Sequence, residues 1–450
     1  MPGLSHTLDV ARRAMAAQQS VLTVVGHNIS NANTPGYTRQ IGHLSTLRPS
    51  MYSGITYGNG VVFDSVMRNR SAALDAEYRN ETSLHSYWDT RAGELTRLEQ
   101  ALGEPSDSGL AAVLDDYFSA WADLSNDPSA TTRRATVREQ GRVLSDRFQS
   151  MARQLARMDE EIRTEIGIQV DQFNLTLSEI RNLTTSIRAS DLRGIGSSDL
   201  LDKRDALLDE LARTAEITYG QRENGDFYLR MDGKLIFDET TFRPLELVQD
   251  DRATETTFFL RIGTGARVEV SQGSLGALFE LHDETVPGFQ ENLDTLAKGV
   301  IQNVNAIHGT GPSGADFFVG TGAADVAVSA ELDGSLSQLN TSTSGLAGDN
   351  DIALALAGLR DAKVMSGNTS SMGEFWNGVV GSTGVASREA QMQSETLTLT
   401  RSALEERREE AGGVSLDEEM ANLIQTQQAY IAAVRLFEIV GDMMDRLTSM

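Results

Sequence analysis

Three aspartates, Asp202, Asp205 and Asp209, stand at i, i+3 and i+7 within the run SSDLLDKRDALLDELART. On a helix that spacing stacks the carboxylates on one face, an arrangement that could hold a hard divalent cation. The surroundings argue otherwise. Lys203, Arg204 and Arg213 lie close by, no glycine-containing loop shapes a cage, and Leu200, Leu201, Leu208 and Leu211 occupy the opposite stripe. The expected role is the solvated face of an amphipathic helix. Glu405, Glu406, Glu409 and Glu410 flank Arg407 and Arg408. Paired carboxylates can do acid–base work, but this spacing reads as i,i+4 charge pairing on an exposed helix.

The remaining motifs assemble no reactive constellation. HGTGPSG at 308–314 contains a G-x-G-x-x-G match, yet it follows a helical pattern and Pro312 interrupts it. A dinucleotide cradle needs a strand before and a helix after, so this is read as a loop. His6, His27, His43, His85, His282 and His308 show no metal-ligand spacing, and there is no HExxH, Walker A or GxSxG. The absence of cysteine excludes thiolate catalysis, disulfides and cysteine-bound zinc. Arg133, Arg134, Arg138, Arg142, Arg147, Arg153 and Arg157 are interleaved with Glu139, Asp146 and Asp159, the pattern of solvated charge along a helix. A net charge of −25 argues against nucleic acid, because phosphate recognition needs clustered cations. The expectation is a protein without catalytic residues, metal or cofactor.

If no chemistry is present, the elements themselves carry the information. The N-terminal segment is a heptad: Leu4, Leu8, Ala11, Met15, Gln18, Leu22, Val25 and Ile29 alternate steps of four and three. Such a seam is shaped for another helix. It ends in the terminal turn motif NISNANTPGYTRQ (28–40), which opens with Asn28; Asn31 and Asn33 suit non-helical backbone and Thr34-Pro35-Gly36-Tyr37 suits a type II turn. The C-terminal run SLDEEMANLIQTQQAYIAAVRLFEIVGDMMDRLTSM mirrors it. Ser415 and Glu418 read as a capping box. The seam expected there is Leu416, Met420, Leu423, Gln427, Tyr430, Val434, Phe437, Gly441 and Met444, widened by Ile424, Ile431, Val440, Met443 and Leu447. Gln18 and Gln427 are polar seam residues of the kind that sets register.

Between the ends, residues 41–66 read as extended. Helices are expected over LDAEYRNETSLHSYWDTRAGELTRLEQAL and SGLAAVLDDYFSAWADLSND. A long rod follows over about 130–190. Its stripe is Leu144, Phe148, Met151, Leu155, Met158, Ile162, Ile166, Val170, Phe173, Leu177, Ile180, Thr184 and Ile187, with one added step of four that marks a stutter. Ser198 suits an N-cap for the next helix. Short β-rich runs (EITYGQ, DFYLRM, KLIFD, PLELV, TTFFLRI, RVEVS) then read as an antiparallel module over 216–272. Helix resumes to about 308. Residues 309–350 are rich in Gly, Ser and Thr, with VAVSA as a candidate strand, and read as loop or as an extension of the β-module. Helix returns from about 351 and from about 385 to 411.

The fold class is therefore mainly α with an inserted β-rich domain: terminal coiled-coil helices, a long-helix bundle and a small outer antiparallel β domain. The expected domains are 1–40 with 413–450, then 41–215 with 273–308 and 351–412, then 216–272 with 309–350. No basic n-region with an apolar core opens the chain and no run approaches 18 apolar residues, so neither a cleaved leader nor a membrane span is expected.

NISNANTPGYTRQ and ANLIQTQQAYIAAVRLFEIVGDMMDRL resemble the end motifs of bacterial flagellar axial proteins, shared by rod, hook and hook-associated subunits. SSDLLDKRD, GSLGALFE and NAIHGTGPSGADFF resemble the FlgK family of hook-associated proteins, which sit at the hook–filament junction. The resemblance implies an inner coiled coil of both termini and a ring of subunits between hook and filament. Implied partners are other copies of the chain, hook protein, the second hook-associated junction protein and a cytoplasmic export chaperone on the C-terminal helix. It also implies type III export without leader cleavage, to an extracellular place in the flagellum. Two alternatives stand beside it: another axial subunit such as hook or rod protein, or an axial scaffold carrying an extracellular enzyme or binding module in 216–350.

Overall fold

The computed structural model describes residues 2–52, 55–193, 196–250, 257–263 and 265–449. Small parts of the extended stretch 41–66 and of the TTFFLRI run thus lie outside the described residues. In chain order the elements are α1 (Pro2–Asn31), β1 (Gln40–Thr46), β2 (Ser50–Tyr52), β3 (Ile55–Tyr57), β4 (Val61–Arg68), α2 (Ala72–Leu102), α3 (Leu110–Asn126), α4 (Thr131–Leu192) and α5 (Ser198–Thr214). Then come β5 (Thr218–Gln221), β6 (Phe227–Met231), β7 (Lys234–Phe237), β8 (Leu245–Asp250), β9 (Thr257–Ile262), β10 (Arg267–Val268), α6 (Gly273–Glu280) and α7 (Val286–His308). β11 (Phe318–Val319), β12 (Ala327–Val328), α8 (Ala330–Gly334), α9 (Asp351–Gly358), α10 (Met372–Gly412) and α11 (Leu416–Thr448) complete the chain. The class is mainly helical with small antiparallel sheets, as the patterns require.

α4 is the axle. Its 62 residues make a rod of about 90 Å. Every position of the expected stripe from Leu144 to Ile187 is buried. α3, α5 and α7 pack on that stripe. Around Tyr117, Trp121, Phe317 and Phe318 the rings meet edge-on or tilted at 4.7–5.7 Å, geometry that suits their quadrupoles. α2 ends at Gly103, in the left-handed region at φ 61°, where a side chain would be strained. Between α6 and α7 one π turn spans Leu281–Thr285. Pro287 follows in the first turn of α7 and lacks the N–H that a continuous α-helix would use.

The β-rich stretch forms two three-stranded antiparallel sheets, β5-β6-β7 and β10-β9-β8. It lies on the C-terminal half of α4, where Asn174 bonds both the N–H and C=O of Leu245 and Arg188 pairs with Asp226. Residues 309–350, grouped with it from sequence, lie elsewhere. They pack on the N-terminal part of α4, where Gln149 bonds the carbonyl of Val326 and Arg134 that of Leu339. The β11-β12 pair is a sheet of its own. The reason is the arginine run on α4. Arg134, Arg138 and Arg142 reach Leu339, Asp333 O and the Asp333 carboxylate, and Arg147 bonds Leu102 O. They are staples, not free solvated charge.

The 308–314 loop does follow a helix. His308 is buried, with Nδ1 donating to Ala315 O at 2.7 Å and Nε2 accepting from Asn340 N at 2.9 Å. The side chain of Asn340 fills the space beside Gly311, so the loop is packed rather than open to a phosphate. α10 begins at Met372, earlier than the glycines of this stretch suggest. A full capping box of Ser371 and Glu374 starts it, and buried Met372 and Trp376 anchor it.

Candidate functional site: a polar knot at the root of the terminal helices

The chain leaves α1 through a tight turn. Tyr37 N–H donates to Thr34 O at 3.1 Å and Gly36 sits at φ 77°, with Pro35 ahead of it, which is type II geometry. A Cβ on Gly36 would meet nothing within 4 Å, so the backbone angle alone requires glycine. Asn31 Nδ2 donates to His27 O at 3.0 Å, and Thr34 Oγ1 to Asn31 Oδ1 at 3.3 Å. Asn33 is exposed.

Asn28 is the centre. It is buried, and its amide uses all four hydrogen-bonding positions. Oδ1 accepts from Gln40 N at 2.9 Å and from the Tyr37 hydroxyl at 2.8 Å. Nδ2 donates to Gln40 O at 2.8 Å and to Glu419 Oε2 at 3.0 Å. Glu419, on the first turn of α11, is 1% exposed, and its other oxygen takes Arg39 Nε at 2.8 Å. Arg39 Nη1 donates to Glu418 at 2.8 Å. Glu418 is therefore committed to Arg39, and only half of the expected capping box forms: Ser415 Oγ accepts from Glu418 N. Burial, then Asp199, Asp202 and Glu419, push the Tyr37 phenol up, which keeps it a proton donor.

Residues 38–40 are tied to the body as well. Thr38 N–H donates to Asp202 at 3.0 Å and Gln40 Nε2 to Asp199 at 2.8 Å, both at the start of α5. Arg39 N–H donates to Gly412 O at 2.8 Å, and Asn69 Nδ2 to Ala411 O at 2.7 Å, at the end of α10. Four segments distant in sequence thus converge on one short stretch. Above it, α1 packs on α11 and on the β1-β4 hairpin.

The aspartates of α5 complete the knot, and here the expectation of a solvated face is overturned. Asp202 and Asp205 are buried. Arg68 bridges both at 2.7 Å. Arg70 pairs with Asp75 at 2.6 Å, and Arg79 with Asp209 at 2.6 Å. Arg408 joins Asp75 and Asp209, each at 2.9 Å, with its guanidinium 4.1 Å over the Tyr78 ring. Burial opposes the Asp205 charge, but Arg70, Arg68 and Arg79 outweigh it and hold its carboxyl below the usual range. Cations come from 68, 70, 79 and 408, so nothing local to α5 announces them. The knot residues that sequence reasoning missed are Thr38, Arg39, Gln40, Asp199 and Glu419.

The terminal seams are placed as follows. Leu4, Leu8, Met15, Leu22 and Ile29 of α1 are half-buried, and Val25 is buried. On α11 the buried positions are Glu419, Thr426, Ala433 and Val440, one every seven residues. Leu423, Tyr430, Val434 and Met444 are half-buried, while Met420, Gln427 and Phe437 face outward. The row against α1 thus runs one residue before Met420, Gln427 and Val434. Small side chains at 426 and 433 let the helix axes approach more closely than Gln427 and Val434 would.

Similarity to known proteins follows this division. The family profile described as the FlgK helical domain of flagellar hook-associated protein matches residues 95–318. Profiles for the C-terminal part of basal body rod FlgEFG proteins and for flagella basal body rod protein match 407–450 and 8–38. Flagellar hook-associated protein 1 of Bacillus subtilis is 28% identical over 98% of this chain and 97% of its own length. That of Salmonella typhimurium is 27% identical over 70% of this chain and 59% of its own length. In fold, the flagellar hook junction protein FlgK of Burkholderia pseudomallei matches with a TM-score of 0.65 at 13% identity, over 76% of this chain and all of that one. Paired terminal helices knotted to a long-helix body define an axial component of the bacterial flagellum. Within that class, the chain belongs to the FlgK family of flagellar hook-associated proteins.

Proposed function

We propose that this chain is a structural junction subunit that connects hook to filament and is required for filament assembly. The observation that carries the reading is the uncovered side of α11. Ile424, Ile431, Ile439 and Met443 are 46–56% exposed on a helix whose opposite side is already occupied by α1. Four large apolar side chains left exposed along one side of a helix call for further chains. The exposed seam residues Met420, Gln427 and Phe437 would meet neighbouring copies, with Leu423, Tyr430, Val434 and Met444 at the edge of the α1 contact. Leu4, Leu8, Met15, Leu22, Val25 and Ile29 supply the α1 side.

In this reading 1–40 and 413–450 form an assembly-dependent unit, and the knot of Asn28, Asn31, Asn33, Pro35, Gly36 and Tyr37 aims it. Neighbours are other copies of the chain, hook protein and the second hook-associated protein. Before export a cytoplasmic chaperone covers the C-terminal helix, and the chain leaves through the type III apparatus to an extracellular position. Catalysis is no part of the reading: Arg39, Asp202, Asp205, Asp209, Glu418 and Glu419 all hold chain segments together.

The test uses the full chain carrying Ile424→Asp and Ile431→Asp in a strain lacking its own copy. Both positions are exposed, so the isolated fold is expected to survive, read by circular dichroism, while filaments no longer form on hooks and filament protein is lost to the medium. Normal filaments on these hooks would overturn the reading.

A further inference from the structure

α2 stands between α10 and α4. It meets α10 through His85–Thr398, Asp89–Ser394 and Glu99–Ser387, and α4 through Arg97–Glu161 and Leu102–Arg147. Both partner helices run antiparallel to α2, so they run parallel to each other. Each turns an apolar row away from the body. On α10 these are Val385, Met392 and Leu399, 56–74% exposed; on α4 they are Ile168 and Leu175, 57% and 62% exposed. Both rows repeat every seven residues, so each is one straight line on its helix.

Charge composition says what covers them. Between Trp376 and Thr400 only Arg388, Glu389 and Glu395 are charged, 3 of 25 residues against 23% for the whole chain. Copies of a chain with net charge −25 repel, so they approach most readily where charge is sparse. The two rows also match each other. Val385, Arg388 and Met392 stand at i, i+3 and i+7; so do Ile168, Asp171 and Leu175. Among the described residues neither Arg388 nor Asp171 has an ion pair.

The geometry points to a head-to-tail contact between copies of this chain, α10 of one on α4 of the next, with Arg388 on Asp171 between the pairs Val385–Ile168 and Met392–Leu175. It rests on the axial-subunit reading above. In this parallel register no like charges fall opposite: Glu165 and Glu179 face Ser382 and Thr396, and Glu389 and Glu395 face Gln172 and Ser178. The register also fixes a displacement. Arg97 holds Glu161 while the adjacent Thr96 holds Gln391; because α10 and α4 both run antiparallel to α2, Ala390 is level with Glu161 and Met392 with Arg163. Bringing Met392 to Leu175 moves the next copy along the rod by roughly 12 residues, about 18 Å. A heterologous contact with such a rise winds the copies into a helical collar rather than a flat ring.

The chain has no cysteine, so an introduced pair reports only itself. The full chain carrying Leu175→Cys and Met392→Cys is expressed in a flagellated strain lacking its own copy, and isolated flagella are oxidised and run without reductant. The expected result is a ladder of dimers, trimers and larger species, at least tenfold stronger than with either single variant. Incorporation into flagella without a ladder overturns the contact and leaves the junction reading standing; absence of the unmodified chain from isolated flagella overturns both. A ladder from Met392→Cys alone would mean that α10 meets α10, which also overturns it. Independently, Arg388→Asp should cut filament attachment several-fold and Asp171→Arg in the same chain should restore it; failure of the reversal counts against the contact.

Discussion

The side-chain amide of Asn28 holds the backbone of Gln40 at both ends, accepting its N–H at 2.9 Å and donating to its carbonyl at 2.8 Å. One side chain here does what a neighbouring strand would do, and it fixes the angle at which the chain leaves α1. Asn28→Asp removes both donors and sets a carboxylate against Gln40 O and Glu419. The expected loss is about 2–4 kcal/mol, confined to the terminal unit. Hydrogen exchange should accelerate in α1 and α11 while α4 stays protected; equal acceleration in α4 would show that the knot belongs to the body.

Gly36 is held at φ 77° with open space around it. Gly36→Ala is expected to cost about 1 kcal/mol from backbone strain alone, and Gly36→Asn less. Exchange rates over 30–42 measure it, and an alanine variant indistinguishable from the parent would remove the conformational argument.

Arg408 lies between Asp75 and Asp209 and over Tyr78. Arg408→Ala leaves part-buried carboxylates short of a cation and should cost about 3–5 kcal/mol in urea unfolding. Arg408→Lys should recover only part of this, because an ammonium cannot bond two carboxylates through a planar fork while stacking on a ring.

Two buried histidines should give opposite pH dependences. The hydrogen bond to Asp159, at 2.7 Å, holds His282 above its ordinary value despite burial. Its contribution is complete below the unfolded value of about 6.5 and is lost as pH rises through the folded value. His282→Gln should therefore cost more stability at pH 5.5 than at pH 8.5. Burial pushes His308 down, and its two ring bonds suit the neutral ring. Below about 6.5 the unfolded chain takes up the proton first, so stability falls on acidification. His308→Gln should flatten that fall. Melting temperatures across the range check both signs.

What the sequence determined by itself was whatever depends on local periodicity and local chemistry. The stripe of α4, including its stutter, reads directly because one face of a long helix meets the body throughout. The turn at Thr34–Tyr37 follows from the adjacent Pro35 and Gly36, and the mainly helical class follows from the long patterns. The tertiary structure alone decided which faces are paired. An Asp–Arg network spanning residues 68 to 408 looks, residue by residue, like surface charge. α11 is apolar on more than one side, so only the approach of α1 selects the row Glu419, Thr426, Ala433 and Val440 as the inner one. Residues 309–350 carry weak strand signals that fit two places, and the arginines of α4 choose between them. Periodicity shows that a face wants burial; it carries no address for the partner, because that partner is set by contacts hundreds of residues away.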